Sequence, residues 1–549
     1  MLKIPRMVAL WIALFLPSVG SAETSGLWDS IVNYERTFQC PEAELIAPES
    51  AEEVQIIVQR ALETGRKIMT GTKKFSSQID AACAGSQQIQ ITTERLNRII
   101  KIDKDKKLVT TQSGVRLSEL NNVLREEQLS INMISEGGFF TVGGMLGSDT
   151  HGSTMTQPVS LSEYITSMTM VDGLGQIRKI EGDELLATRV NLGVLGVVVE
   201  ATFRVEPLKK VQARIYKGHD RDLEKVIASL PREHYSASLS WFPGIRRYTA
   251  TTFDFVPNNT PGEAVNKQAE FPDWVYDIYR KAAQYSNQPN RPFAECGLAR
   301  IREGLRSKSY FKENDKPVKN AVGWSDDMQY FKCSSKGACP WDKIPIVVGG
   351  FSIPMAELSN WIGDVRKIFD AHSSFLHRPC LALNGIYFRF GAGTDAWLAM
   401  NEGRETVFID LEYIANTKGA EDDGKLIRFT KIPKSYPVVQ EIEQMSLQKY
   451  NARPHWGKNL PSAFFDVGKD QYSNWDRFLQ YKKKVDPQNV FSNPWWERLV
   501  DGETASLKSR YQNCALDGSC ICTNDSHCPD SYVCSPGKFW EKARICKRP

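Results

Sequence analysis

The chain has 549 residues, 41% of them apolar and 24% charged. That is too long for one core and too apolar for a disordered or collagen-like polymer, so two large domains are expected. Lys and Arg number 69 against 65 Asp and Glu, a formal charge of +4; so small a surplus argues against nucleic-acid binding.

Met1–Ala22 has the pattern of a secretory signal. Lys3 and Arg6 form a positive start, Met7–Leu16 is apolar, and Gly20-Ser21-Ala22 suits cleavage. The chain is therefore expected to be secreted. No later apolar run approaches the ~20 residues of a membrane span. Ser50 and Glu53 predict a helix start, Val54, Ile57, Val58, Ala61 and Leu62 share one face, and Gly65 predicts its end. Short strands follow at 67–70, 89–91 and 107–112. Ser118–Glu127 reads as a second amphipathic helix, with Leu117, Leu120, Val123 and Leu124 inward. A glycine-rich stretch occupies 136–153, and strands are predicted at Ile165–Val171 and Gly193–Arg204.

Pro207 marks a boundary. Residues 208–440 are aromatic-rich and irregular, with strand-like runs at Ile346–Val348 and Thr406–Ile414; a helix is expected over Pro437–Tyr450. The resulting division is 1–22 leader, 23–207 first domain, 208–440 second domain, 441–500 returning segment and 501–549 tail. Six of the twelve cysteines, Cys514, Cys520, Cys522, Cys528, Cys534 and Cys546, lie in that tail, which has too few apolar residues for a core of its own. Disulfides are the expected staple. Zinc is disfavoured, since His527 is the only local histidine and no paired CxxC occurs. Cys333 and Cys339 could close a short loop, and Asn258 and Asn524 stand in glycosylation sequons.

The density of glycines at 137, 138, 143, 144, 147 and 152 suggests main-chain amides approaching an anion. Their spacing is not that of a nicotinamide Rossmann loop. Three segments in order, Thr141-Val-Gly-Gly-Met-Leu-Gly147, Thr150-His-Gly-Ser153 and Leu192-Gly-Val-Leu-Gly-Val197, resemble the vanillyl-alcohol-oxidase-type flavoproteins. Pro454-His-Trp-Gly-Lys458 resembles the active-site signature of the sugar-lactone oxidases within that superfamily. The tail, with Cys514-Ala-Leu-Asp-Gly-Ser-Cys-Ile-Cys522 and Lys542-Ala-Arg-Ile-Cys546, is similar to the plant-type L-gulonolactone oxidases.

The resemblance implies an α+β fold. It would consist of a two-subdomain PCMH-type FAD-binding domain, a mixed α+β cap with an antiparallel sheet, and a disulfide-rich tail. It implies oxidation of an aldono-1,4-lactone to an ascorbate-type product, with hydride passing to FAD and O2 reoxidising the flavin to give H2O2. FAD would be held by Gly71, Thr72, Lys73, Lys74, Ser76, Ser77, Gly143, Gly144, Gly147, Ser148, His151, Gly152, Ser153, Gly196 and Val197, with His151 beside the pyrophosphate. Lys458 would stabilise charge or orient the substrate hydroxyl, or act as a base if desolvated. His455 is either a second site residue or a packed histidine. Arg389 either binds lactone oxygens and reduced flavin or is an ordinary strand arginine.

Two departures from the family pattern matter. Ser76 stands where many members carry the histidine that links FAD, so non-covalent FAD is predicted. Tyr387 stands where the acid of a Glu-x-Arg motif would be; a phenol can orient a hydroxyl but cannot replace a carboxylate base near neutral pH. Other carbohydrate or alditol oxidases, a lactone dehydrogenase and a non-catalytic scaffold are the alternative readings, separable by a flavin spectrum and by peroxide release on a substrate panel.

Overall fold

The computed structural model describes residues 40–549 except 72–79, 134–136, 268–272, 287–292, 307–310, 329–345, 375–377, 415, 419–427, 466, 502–511 and 517. Thr72, Lys73, Lys74, Ser76, Ser77, Cys333 and Cys339 lie outside the described residues.

The first domain is built from two small sheets. Strands β1 (Glu44–Ile46), β2 (Ile68–Thr70) and β3 (Ile89–Ile91) form a parallel sheet in the order β1-β3-β2. Helix α1 (Ala51–Thr64) starts where the Ser50 side chain accepts the Glu53 amide and ends at Gly65, whose φ of 66° is left-handed. Its apolar face, Val54, Ile57, Val58 and Ala61, packs with Ile68, Ile89 and Ile91. The second sheet is antiparallel, with β4 (Ile99–Asp103), β5 (Leu108–Gln112), β6 (Ile165–Asp172), β7 (Ile177–Ile180) and β8 (Gly196–Arg204) in the order β4-β5-β8-β6-β7. Helices α2 (Leu117–Glu126) and α3 (Val142–Gly147) pack inward on it through Leu117, Leu120, Leu124, Val142, Met145 and Leu146. The strand predicted from Gly193 begins at Gly196: Leu192 and Gly193 both have positive φ, which breaks the extended run before the ladder.

The cap is an eight-stranded sheet in which neighbouring strands pair antiparallel. Its strands are β9 (Lys210–His219), β10 (Ser236–Phe242), β11 (Arg247–Val256), β12 (Ala321–Trp324), β13 (Ile346–Pro354), β14 (Ile386–Gly391), β15 (Thr406–Ile414) and β16 (Arg453–Pro454). They run in the order β12-β9-β11-β10-β14-β15-β13-β16. Alternation sorts each strand into two faces. Leu239, Trp241, Phe351, Ile353, Ile386, Phe388, Phe390, Val407, Ile409 and Leu411 enter one core with helices α4 (Leu223–Glu233), α5 (Leu358–His372) and α6 (Tyr436–Lys449). The opposite parity, Gly350, Tyr387, Arg389 and Asp410, faces away from those helices. Helix α6 runs unbroken across 440, so the division of the chain there falls inside an element.

After β16 the chain rejoins the first domain. Trp456, Phe464, Tyr472, Trp475, Phe478, Trp495 and Trp496 share one core with Val109, Val142 and Met145. The tail is stapled by Cys514–Cys520, Cys522–Cys534 and Cys528–Cys546, so its clustered cysteines are committed to disulfides rather than to a metal. Cys40–Cys83 and Cys296–Cys380 brace the body. The tail is also part of the cap core, where Cys514, Cys520, Cys522, Ala543 and Ile545 pack with residues of α5 and α6. Among the described residues no helix is long and apolar enough to cross a membrane.

Candidate active site

The glycine-rich loop meets the cap sheet at a defined seam. Thr154 donates its amide to the Phe390 carbonyl at 2.8 Å, and Ser153 Oγ bridges the strands by donating to the Ala237 carbonyl and accepting the Phe390 amide. Arg389 Nη1 donates to the His151 carbonyl at 3.0 Å. Ser148 abuts the late motif, for a Cβ built on Gly457 would stand 3.1 Å from Ser148 Cβ.

That motif is fixed at both ends. Trp456 Nε1 donates to the Leu398 carbonyl at 2.8 Å, with its ring stacked on Phe464 and Tyr472. Asn459 accepts the Gly350 amide at 2.6 Å and donates to the carbonyls of Gly350 and His455. Between these anchors Lys458 Nζ lies 2.8 Å from Asp410 Oδ2, and the same oxygen accepts from Arg389 Nη2 at 2.8 Å. Burial alone would raise the Asp410 carboxyl; Lys458 and Arg389 outweigh it and hold it at about 2. The Lys458 side chain is 22% exposed, against 7% for Asp410 and 8% for Arg389, so the ammonium is the most exposed member of the trio.

Two histidines flank this cluster, their rings 5.4 Å apart. His151 is stacked on Phe408, and its Nδ1 lies 3.0 Å from the Gly152 carbonyl. A carbonyl only accepts, so Nδ1 carries the proton and Nε2 is an acceptor. His455 Nδ1 accepts the Gly457 amide at 3.0 Å, which places the neutral ring's proton on Nε2. Burial, with Arg389 beside His151 and Lys458 beside His455, lowers both rings well below the usual histidine range. Both are therefore neutral, and two cations against one carboxylate leave one net positive charge.

The structure thus gathers Lys458, His455, Arg389 and His151, with Ser148 and Ser153 holding the seam. Tyr387 is buried, its ring 5.2 Å from the Arg306 guanidinium and 5.8 Å from that of Arg389. Lys458, His455 and Arg389 lie in one connected cluster. His151 sits in it as well.

The glycine amides correct one expectation. They do not form an open cradle, because most are already spent: Val142 on Val115, Gly143 on Ser113, Gly144 on the Thr141 hydroxyl, Met145 on Thr141, Ser148 on Gly144, Thr150 on Met145 and Gly152 on Val159. The glycines serve close packing instead; a Cβ on Gly143 would stand 3.2 Å from Ser113 Cβ. Gly147 closes α3, and a Cβ there would stand 4.0 Å from Asn191 Oδ1. Gly71 ends β2 under the Ala82 carbonyl, 2.7 Å from where its Cβ would be. Gly196 has a φ of 147° against the Val171 carbonyl, and Val197 is buried in the α1 core, so both are placed in the scaffold. The groups left over are side chains. Among the described residues, the Ser113 hydroxyl and the acceptor nitrogen His151 Nε2 are buried without a partner, and a polar, ring-bearing nucleotide would satisfy such groups.

Sequence reasoning missed Asp410, Gly350 and Asn459. The signal for Asp410 was an acid inside the otherwise apolar run Val407-Phe-Ile-Asp-Leu411.

Comparison with known proteins bears on the same residues. Residues 43–181 match the family model of an FAD binding domain, 201–499 that of D-arabinono-1,4-lactone oxidase, and 511–548 that of an L-gulonolactone oxidase 2-like C-terminal domain. The chain belongs to the D-arabinono-1,4-lactone oxidase family. It is an FAD-dependent oxidoreductase. L-gulonolactone oxidase 5 of Arabidopsis thaliana is 30% identical over 92% of this chain and 89% of that protein. A probable L-gulonolactone oxidase 1 of the same plant is 29% identical over 92% and 88%. The L-gulono-1,4-lactone dehydrogenase of Mycobacterium tuberculosis is 24% identical over 84% and 96%. Among solved structures, a solvent-stable cholesterol oxidase shares the fold, with a TM-score of 0.67 at 18% identity over 86% of this chain and 97% of that one.

Proposed function

We propose that this family member oxidises aldono-1,4-lactones of the L-gulono or L-galactono type, passing electrons to O2 and giving an ascorbate-type product and H2O2. The observation that carries the reading is the Lys458–Asp410–Arg389 cluster, held against His151 of the FAD domain. Bound FAD supplies the hydride acceptor that no side chain offers. Ser113, Ser148 and His151 are the residues that would hold it along the seam. Lys458 presents its ammonium beside the reacting hydroxyl and orients it. The single net positive charge favours negative charge as it develops in the site. His455 adds an Nε2 donor, and Arg389 fixes the seam through the His151 carbonyl while adding positive charge.

The relatives named as L-gulonolactone oxidases support this substrate class. Peroxide release across a panel of lactones, sugars and alditols tests it, and transfer to a dye but not to oxygen would make the enzyme a dehydrogenase. Lys458→Met should lose turnover roughly 10²-fold or more while keeping FAD; wild-type rates would remove Lys458 from the reaction. Ser76 in place of the linking histidine supports non-covalent FAD, so acid precipitation should release the yellow cofactor. The Met1–Ala22 leader and the disulfides support secretion. A secreted product that still carries Lys3 and Arg6 would refute cleavage.

A further inference from the structure

We propose that Asp410 is the positioning carboxylate of this site. The carboxylate that the family's Glu-x-Arg pattern carries on the arginine's own strand arrives here from the neighbouring strand, across the ladder from Tyr387. The assignment rests on the lactone-oxidase reading above.

The sheet register makes the substitution geometrically direct. Tyr387 of β14 pairs with Asp410 of β15, and Asp410 pairs in turn with Gly350 of β13. Cross-strand partners project from the same face with Cβ atoms about 4.5–5.5 Å apart. Arg389 lies two residues beyond Tyr387 and so shares that face. A carboxylate at 387 or at 410 therefore reaches the same space beside the guanidinium. The third place in the row is empty of side chain, and Lys458 lies over it. A Cβ on Gly350 would stand 2.8 Å from Asp410 Oδ1, 3.1 Å from Lys458 Cδ and 3.5 Å from His455 Cβ. Tyrosine, carboxylate and glycine in one row thus leave room for one acid and one ammonium.

Asp410 acts through its neighbours. One oxygen takes both Lys458 Nζ and Arg389 Nη2 at 2.8 Å. It fixes the ammonium in one place and reduces two adjacent cations to a single positive charge. Held in the charged form between them, it is a positioning residue rather than the base that removes the hydroxyl proton.

The test moves the carboxylate across the ladder. Wild type, Asp410→Asn and the double variant Asp410→Asn/Tyr387→Glu are compared as FAD-loaded proteins for kcat and KM on the lactone that wild type oxidises fastest, with flavin content read by absorbance. Asp410→Asn should lower kcat roughly 10²-fold, and the double variant should regain at least about tenfold of that loss. A merely structural aspartate would not be rescued by a glutamate on another strand. A second readout needs neither substrate nor flavin. The acylation rate of Lys458 by an amine-reactive anhydride, followed by peptide mass spectrometry, should rise several-fold in Asp410→Asn and fall back in the double variant, because the ammonium loses and regains its carboxylate. Turnover within threefold of wild type in Asp410→Asn would overturn the assignment, as would a folded double variant no better than Asp410→Asn in both readouts. If wild type oxidises no substrate of the panel, the functional reading fails and the Lys458 acylation series alone decides Asp410.

Discussion

A buried carboxylate is one of the links between the cysteine-rich tail and the cap, and removing it gives a sharp test of how the tail contributes. Glu441 of α6 is fully buried and accepts four hydrogen bonds, from His372 Nε2 at 2.7 Å and from the amides of Lys538, Phe539 and Trp540 at 2.9, 2.7 and 2.7 Å. Burial alone would raise this carboxyl; the His372 hydrogen bond and the three amides outweigh it and bring it below its ordinary 4.5. Hydrogen bonds to a charged group contribute about 1.5–3 kcal/mol each, and they are not additive when the donors can rehydrate. The three tail amides can; buried His372 cannot. Glu441→Ala should therefore cost about 4 kcal/mol of docking free energy, or roughly 10³ in the undocking equilibrium. The assay is amide hydrogen exchange at two reporters that do not touch Glu441. The Arg544 amide donates to Gln444 Oε1 at 2.9 Å, and the Ser462 amide donates to the Gly518 carbonyl at 2.9 Å. Both should lose protection together in Glu441→Ala and much less in Glu441→Gln, which keeps an acceptor. Because the folded value is depressed, the stability contributed by this ionised carboxylate is fully present above about pH 4.5 and is lost as pH falls from there through the lower folded value. Unchanged protection at both reporters in Glu441→Ala would refute the reasoning. Ser462 lies four residues from Lys458, so the same variant should slow turnover.

Gly350→Ala should lower kcat roughly 10²-fold with FAD retained, because the added methyl stands 2.8 Å from Asp410 Oδ1; parallel kcat and flavin-content measurements check this. Glu163 is pushed up to about 7, by burial first and then by Asp149, from an ordinary 4.5. A raised acid stabilises the fold below about pH 4.5 and loses that contribution as pH rises through about 7. Glu163→Gln should flatten that decline by about 3 kcal/mol, read from denaturant unfolding at pH 5 and pH 8.

Much of this protein was legible along the chain because the signals are local. The α1 cap at Ser50, the helix end at Gly65 and the apolar runs that became β6 and β15 depend on neighbours a few residues away. The glycine loop and the His-Trp-Gly-Lys motif stood out for the same reason, since each carries its pattern within one continuous stretch, 136–153 and 454–458. What those glycines do was not legible in full, because the acceptor of the Gly143 amide, Ser113, lies 30 residues back along the chain.

Only the tertiary structure could place Asp410. In sequence it is 21 residues from Arg389 and 48 from Lys458, and nothing local ties the three together. Strand register does, setting Asp410 between Tyr387 and Gly350. The same holds for the tail. Its cysteines announced disulfides, yet their pairing and the seat on Glu441 were decided by which surfaces meet when the chain closes. Residue periodicity determines which face a side chain occupies; only packing determines what stands opposite.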